Sequence, residues 1–324
     1  MNDILLINKY KPQKLDDFYG QENTKQFISN MININLGNFL LIGETGFGKT
    51  SYLETFVKEY FLSKNISNYK NLVLFINQSK EQGIHFFKNE IKLFCQTNSL
   101  HNVKKILAID NLDTISESSQ HIIRNFIDTY ENNVFFISSA TNQSKIISPL
   151  QSRLLIHYIS TPKIEDFISL AQIIINNEKI NIENNSLIKS ISQKSNFSFR
   201  KLINLLDKFR LLGVNITSSI VSDLSGDISD SIFKNILDYL YLNNLKSAIN
   251  CMLEISNLGY SNIDIYEGFY EFIKRAEIDE CIKLELIPII CKFISLYYIH
   301  FEDPIDLILF VNKIHKIVMV RLNF

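Results

Sequence analysis

The chain has 324 residues, of which 46% are hydrophobic and 21% charged, and 33 basic against 34 acidic side chains give a formal net charge of -1. This composition is typical of a globular protein with two or three domains, and it excludes a disordered chain. A nearly neutral chain has no global field that attracts nucleic acid. Any contact with nucleic acid would therefore need a local basic surface.

The cysteines and histidines show no metal-binding pattern. The four cysteines form no C-x-x-C pair, and the six histidines have no ligand spacing, so we do not expect a structural zinc site. All four cysteines lie in apolar sequence, and we interpret them as buried thiols in a reducing compartment. They are Cys95, Cys251, Cys281 and Cys291.

No segment of the sequence is predicted to be a membrane span or a signal peptide. The apolar run at residues 4–7 is too short for a signal peptide and lacks a cleavage pattern. The longest apolar stretch, residues 286–301, is interrupted by Lys292 and His300 and falls short of the roughly 20 residues of a span. We therefore expect a soluble intracellular protein without a membrane partner. The sequence alone does not identify the compartment further.

The first strong motif in chain order follows an apolar run at residues 39–42 and precedes a helical pattern. It fits G-x-x-x-x-G-K-[ST] and consists of Gly43, Glu44, Thr45, Gly46, Phe47, Gly48, Lys49 and Thr50. The glycines of such a loop let backbone N–H groups turn toward phosphates, while the lysine reaches the outer phosphates and the hydroxyl ligates Mg²⁺. The sequence therefore predicts a site for a nucleoside triphosphate and Mg²⁺.

Strand and helix patterns alternate from residue 38 to about residue 159. Besides residues 39–42, β-branched or aromatic runs predict strands at residues 72–76, 106–109, 134–138 and 154–158. Such alternation predicts a parallel sheet with helices on both faces. The fold class is therefore α/β in this part of the chain.

Helical patterns take over after Pro162. Apolar residues recur there at helical spacing, and no convincing strand follows. A polar stretch near residues 222–230 predicts a linker, after which about five helical segments reach the end. We divide the chain into a nucleotide-binding domain at residues 1–160, a small helical domain at residues 161–226 and an all-helical domain at residues 227–324.

The end of the strand at residues 106–109 supplies the second half of the nucleotide site. Asp110 follows that strand, and together with Thr50 it is our candidate for the Mg²⁺ shell. Asn111 stands where such strand ends usually carry the glutamate that activates the attacking water. An amide has no basicity at neutral pH, so we expect slow hydrolysis at this chain's own site.

Several motifs together resemble one known family. The K-Y-K-P of residues 9–12, with L-D-D at residues 15–17 and G-Q at residues 20–21, is similar to the opening of the small subunits of replication factor C, the AAA+ clamp loader. Residues 76–84 resemble that family's L-N-A-S-D-E-R-G-I, and residues 110–130 follow its D-E-A-D segment. The resemblance covers most of the first 210 residues. It implies an AAA+ ATPase domain, a helical lid and a helical collar used for oligomerisation.

The resemblance also implies roles for single residues. Tyr10 and Pro12 would lie against the adenine. Asn142 and Arg200 fall at the family's first and second sensors of the γ-phosphate, and Arg153 falls at the finger that reaches the neighbouring subunit's site. By themselves, Asn142 would be a turn residue and the two arginines surface residues.

The chain departs from the family pattern at several of these positions. Asn111 replaces the catalytic glutamate and Gln82 stands at an arginine. Leu154 replaces the cysteine after the finger, and Phe197 with Ser198 replaces Gly-Asp before the second sensor. ATP binding is expected to survive these changes, whereas autonomous hydrolysis is not.

The resemblance implies a pentamer with related subunits that uses ATP to open a sliding clamp and close it around primer-template DNA. Lys80, Lys88, Lys92 and Arg124 are the basic residues predicted to contact DNA phosphates, with a solvated helix face as the open alternative. Two other functions stay open. One is an ATP-binding subunit that does not hydrolyse ATP, and the other is a different AAA+ machine, for which we would expect a C-terminal winged helix.

Overall fold

The structure is a computed structural model that describes residues 5–77, 84–97, 103–184, 186–195, 197–213, 215–217, 220–221, 224, 228–299 and 302–322. The chain divides into two units, residues 1–217 and residues 218–324. The boundary predicted near residue 160 lies inside the first unit and stays a prediction.

A five-stranded parallel sheet lies at the centre of the first unit. Its strands are β1 (Phe39–Ile42), β2 (Val73–Ile76), β3 (Lys105–Ile109), β4 (Val134–Ala140) and β5 (Leu155–Tyr158). They are ordered β2-β3-β4-β1-β5, and every pair is parallel. All five predicted strands are confirmed, with small shifts at their ends. The parallel α/β fold is confirmed as well.

Helices cover both faces of this sheet because its central strands are apolar on both sides. The helices of this part of the chain are α1 (Leu6–Lys9), α2 (Glu22–Ile34), α3 (Lys49–Ser63), α4 (Ile84–Gln96), α5 (Glu117–Tyr130) and α6 (Ser148–Gln151). Phe39 and Leu41 face a core shared with α2 and α3, whereas Leu40 and Ile42 face a core shared with α4, α5 and α6. The carboxyl ends of β1, β3 and β4 meet at one edge of the sheet, where ligands of such folds bind.

Three helices complete the first unit: α7 (Ile164–Glu178), α8 (Ser186–Lys194) and α9 (Phe199–Leu212). We call these three the lid helices. Among the described residues of this stretch, the only strand-like pairing is an isolated bridge between Ile182 and Ile216. The predicted change to helical structure after Pro162 is confirmed.

The described part of the second unit is helical. It contains α10 (Asp230–Tyr241), α11 (Leu245–Asn257), α12 (Asn262–Arg275), α13 (Glu280–Tyr297) and α14 (Pro304–Leu322). Aromatic side chains such as Phe233, Tyr266, Phe269 and Phe310 fill its core. The expected five helices are confirmed. No helix in the described residues is long and apolar enough to cross a membrane.

The interpretation of all four cysteines as buried thiols is wrong. Cys95 is buried, Cys251 is half-buried, and Cys281 and Cys291 are exposed. In α13 the buried positions are Ile282, Leu286, Ile290 and Phe293, which recur at helical spacing on one face. Cys281 and Cys291 fall outside that stripe, so apolar neighbours in sequence did not predict burial.

Candidate nucleotide site

The glycine-rich loop links the end of β1 to the start of α3. Gly46 and Gly48 both have φ +88°, a conformation that residues with a Cβ rarely adopt. Gly48 is the N-cap of α3. Backbone N–H groups at this helix start have no partner within the helix, and they form a binding site for anions.

The side chain of Lys49 lies over this loop and is only 6% exposed. Its Nζ donates hydrogen bonds to the backbone oxygens of Gly43 at 2.7 Å and Glu44 at 3.0 Å. Burial lowers the pKa of Lys49, and the nearby Arg200 acts in the same direction, while Asp110 opposes them. No carboxylate of the described residues forms an ion pair with Lys49. Its positive charge is therefore available to phosphates.

Thr50 and Asp110 lie together, as the sequence predicts. The Thr50 hydroxyl donates to Asp110 Oδ2 at 2.8 Å. Ser139 at the end of β4 donates to Asp110 Oδ1 at 2.5 Å, and its Oγ accepts from the backbone N–H of Asn111 at 3.1 Å. Hydroxyl and carboxylate oxygens are the ligands that Mg²⁺ prefers, usually together with phosphates and waters. The oxygens of Thr50 and Asp110 therefore fit a Mg²⁺ ion that is held partly by a nucleotide.

Asn111 occupies the left-handed region, with φ 55° and ψ 56°. Asn tolerates this conformation better than most residues do. Two residues on, Asp113 is 7% exposed and accepts from the Thr141 hydroxyl at 2.5 Å and from the backbone N–H groups of Thr141 and Asn142. Burial would raise the pKa of Asp113, but these hydrogen bonds outweigh it and hold the pKa below its usual value. Asp113 is therefore a weak base that fixes the end of β4.

Asn142 follows β4, beside Asp113. Its backbone N–H donates to Asp113 at 3.1 Å, and its exposed side chain caps the short 3₁₀ turn Gln143–Lys145 by accepting from the backbone N–H of Ser144 at 2.9 Å. These contacts are those of a turn residue. The sensor role of Asn142 stays a prediction that rests on the resemblance.

A cavity of about 340 Å³ opens in front of the loop. Predicted site residues that line it are Tyr10, Pro12, Gly46, Phe47, Gly48, Thr50, Asp110 and Arg200. Sequence reasoning missed other lining residues, among them Phe18, Tyr19 and Phe199. Aromatic rings beside polar groups and a phosphate loop form a lining suited to a nucleotide.

The first turn of α9 meets the glycine-rich loop. Ser198 is the N-cap of α9, where its Oγ accepts from the backbone N–H of Lys201 at 3.4 Å. A methyl group added to Gly46 would overlap the Ser198 hydroxyl, so the glycine-rich loop and α9 are in close contact at this point. Arg200 thereby reaches the cavity from the lid side.

Comparison with known proteins identifies the family of this chain. The family model for AAA, the ATPase family associated with various cellular activities, matches residues 39–161, and that for the replication factor C C-terminal domain matches residues 228–295. The replication factor C small subunit of Picrophilus torridus is 30% identical over 289 residues, which cover 88% of this chain and 89% of that protein. The chain belongs to the replication factor C small-subunit family. The predicted family is thus confirmed, and the AAA ATPase domain implies nucleotide binding.

The similarity extends to eukaryotes. Replication factor C subunit 5 of Homo sapiens is 25% identical over 284 residues, covering 87% of this chain and 82% of that protein. Among solved structures, the Holliday junction branch migration motor RuvB of Thermotoga maritima covers 74% of this chain at 16% identity, with a TM-score of 0.53. That likeness concerns the fold alone. The match to the replication factor C C-terminal domain favours the clamp-loader family over a Holliday-junction motor.

In this replication factor C relative, Arg153 lies away from the cavity. It precedes β5, so it sits at the edge of the sheet opposite to the loop that follows β1. Its guanidinium pairs with Asp128 at 2.5 Å and donates to the backbone oxygen of Pro149 at 2.7 Å. A residue at this edge cannot contribute to its own chain's nucleotide site. The role of Arg153 at a neighbouring subunit's site stays a prediction that rests on the resemblance.

The predicted DNA-contacting residues lie outside the cavity as well. Lys88 and Lys92 are exposed on α4, and Arg124 on α5 is partly exposed and pairs with Asp128 at 3.5 Å. Lys80 lies outside the described residues. Lys88 and Lys92 are one helical turn apart and so share a face, but DNA contact stays a prediction.

Proposed function

We propose that this chain is an ATP-binding subunit of a clamp loader that opens a ring-shaped sliding clamp and closes it around primer-template DNA. Family membership implies other clamp-loader subunits as partners, and the proposal adds the clamp, the DNA and a pentameric assembly. ATP binding is inferred from the geometry around the glycine-rich loop, where Lys49 is buried above the loop and the Thr50 hydroxyl donates a hydrogen bond to Asp110 at 2.8 Å.

Each group of the site would have a distinct task when ATP and Mg²⁺ bind. The backbone of residues 43–48 would cradle the phosphates, and Lys49 would exchange its bonds to loop carbonyls for bonds to phosphate oxygens. Thr50 and Asp110 would hold Mg²⁺, which supplies charge neutralisation between the phosphates. Arg200 would close the site from α9.

Hydrolysis at this site would be slow for the isolated chain. Asn111 orients a water but accepts no proton from it, and Asp113, with a lowered pKa and one carboxylate oxygen occupied by three donors, is a poor substitute. We expect the chain to bind ATP stably. Turnover would depend on neighbours in the assembly.

Arg153 would act on the neighbouring subunit's ATP. It is placed at the sheet edge opposite to its own cavity, and the pair with Asp128 is partly exposed, so the guanidinium exchanges partners at low cost. An arginine near a γ-phosphate stabilises the charge that develops during transfer. This role requires the oligomer.

A second candidate is a subunit that binds ATP as a fixed ligand and contributes only its finger and its C-terminal helices to the assembly. Asn111 is the observation that favours it. The two candidates differ in one respect, which is hydrolysis at this chain's own site within the assembly.

Calorimetric titration with ATP and Mg²⁺ tests the nucleotide site. Lys49→Ala should abolish tight binding, because the charge that faces the phosphates is lost. Lys64→Ala is a matched control, since Lys64 is exposed at the far end of α3. Unchanged affinity in Lys49→Ala would refute the site, and failure of the wild-type chain to co-purify with sister subunits and a sliding clamp would refute the assembly.

A further inference from the structure

The N-terminal segment of residues 5–15, which we call the strap, forms one wall of the nucleotide cavity. Ile7, Asn8, Tyr10, Lys11 and Pro12 of the strap line that cavity together with the glycine-rich loop. Because the loop takes the phosphates, the strap is one of the parts of the lining left to face the base and the ribose, together with residues such as Phe18 and Phe199. What holds the strap therefore contributes to how well the base and the ribose are bound.

The first half of the strap is held by the lid helices. Its helix α1 has four residues and is too short to be stable by itself. The backbone N–H of Leu6 donates to Asp207 Oδ2 on α9 at 3.2 Å, and Asp207 pairs with Arg210 at 2.9 Å. Leu6 itself is fully buried. The start of the strap thus depends on a carboxylate from α9.

Glu178, the last residue of α7, joins these groups. Its Oε1 accepts from Lys9 Nζ at 2.7 Å and from the Tyr10 hydroxyl at 2.8 Å, and its Oε2 lies 3.6 Å from Arg210. The Glu178 side chain is only 9% exposed. The hydrogen bond from Lys9 keeps the pKa of Glu178 below its usual value, so the carboxylate stays charged. Charge-assisted bonds of this kind are among the stronger polar contacts in proteins.

The second half of the strap is held by the phosphate-loop helix instead. Lys11 pairs with Glu54 of α3 at 2.5 Å, and the backbone N–H of Leu15 donates to Glu59 of α3 at 2.8 Å. The strap therefore changes partner, from the lid helices to α3, between Tyr10 and Lys11. This change of partner falls at the cavity wall.

We propose that Glu178 is a positioning residue for the nucleotide. By accepting hydrogen bonds from Lys9 and Tyr10, it fixes the part of the cavity wall that the strap forms. Because Glu178 belongs to α7, it links the lid helices to the binding of the base and the ribose. This inference rests on the proposed ATP binding. It concerns a residue that does not line the cavity and acts only through Tyr10 and the strap.

Glu178→Gln tests the inference, because it keeps the size of the side chain and removes the charge. Binding is measured by competition against a fluorescent ATP analogue, with ATP and with inorganic tripolyphosphate, which has no base or ribose. We expect ATP to bind about tenfold more weakly and to dissociate correspondingly faster, the size of one charge-assisted hydrogen bond. Tripolyphosphate should bind within about twofold of wild type, because the phosphate loop is untouched.

Glu271→Gln is the matched control, since Glu271 pairs with Lys274 at 3.0 Å in the second unit. It should leave both ligands unaffected. If Glu178→Gln does not fold, Tyr10→Phe, which removes a single donor to Glu178, allows the same comparison.

Two results would overturn the inference while ATP binding by the wild-type chain stands. One is ATP affinity within twofold of wild type in the folded variant. The other is an equal loss for ATP and tripolyphosphate, which would indicate general damage to the site. If the wild-type chain bound no ATP, the proposed function would fail, and the inference with it.

Discussion

Replacing Gly46 by alanine tests how closely the glycine-rich loop and α9 fit together. At φ +88° a residue with a Cβ is strained, which costs about 1–2 kcal/mol. The new methyl group would also overlap the Ser198 hydroxyl and lie 3.0 Å from Ser198 Cβ. If Ser198 rotates away, its cap bond to Lys201 is lost, which adds about 1 kcal/mol.

Gly213→Ala provides the matched control. Gly213 also has a positive φ, of +62°, but nothing lies within 4 Å of an added Cβ, so only the backbone strain remains. A unit of this size loses roughly 2–4 °C of melting temperature per kcal/mol. Gly46→Ala should therefore melt about 2–4 °C below Gly213→Ala. It alone should weaken ATP binding, because the methyl group displaces the helix that carries Arg200.

The double variant Gly46→Ala with Ser198→Gly identifies the cause. Removing the Ser198 side chain leaves only its Cα, 3.5 Å from the new methyl group, an ordinary contact, and glycine is an acceptable N-cap. Compared with Gly46→Ala alone, the double variant should therefore recover most of the additional loss of melting temperature in circular-dichroism melts and most of the lost ATP affinity in calorimetry. Equal melting temperatures and equal ATP affinities for Gly46→Ala and Gly213→Ala would refute the close fit.

Three further predictions concern the site and the finger. Asn111→Glu should raise ATP turnover in the assembled complex by roughly 10² to 10⁴ by restoring a base, and unchanged steady-state hydrolysis would show that another step limits turnover. Arg153→Ala should leave the ATP affinity of the isolated chain unchanged but reduce DNA- and clamp-stimulated hydrolysis in the assembly. If Arg153 acts like the arginine fingers of GTPases, hydrolysis at the neighbouring site should fall by roughly 10³ to 10⁵. A wild-type rate of hydrolysis would show that Arg153 is an ordinary surface residue. Asp113→Asn should lower the melting temperature at pH 7. Because the pKa of Asp113 is depressed in the folded state, the difference in melting temperature from wild type should shrink as pH falls below about 4. A difference that does not change with pH would contradict the assigned hydrogen bonds.

Local patterns predicted the sheet and the core of the nucleotide site. The strands are short apolar runs between helical patterns, and Lys49 and Thr50 belong to a contiguous motif whose function depends on its local conformation. Asp110 follows from the rule that carboxyl ends of parallel strands meet at one edge. These features need no knowledge of distant contacts.

The supporting contacts were missed because they join residues far apart in the chain. Ser139 meets Asp110 across 29 residues, and Glu178 meets Tyr10 across 168 residues. Neither Ser139 nor Glu178 belongs to a motif or a periodic pattern that would single it out. The exposed Cys281 shows the same limit, because apolar neighbours in sequence do not reveal which face of a helix is buried.

We propose that ATP binding by this chain supports the loading of a sliding clamp. Its most direct test is retention of a labelled clamp on closed circular primed DNA by an assembly reconstituted with this chain. We predict that retention requires ATP and is lost when the chain carries Lys49→Ala. Equal retention without ATP, or with Lys49→Ala in place of the wild-type chain, would refute this role of ATP binding.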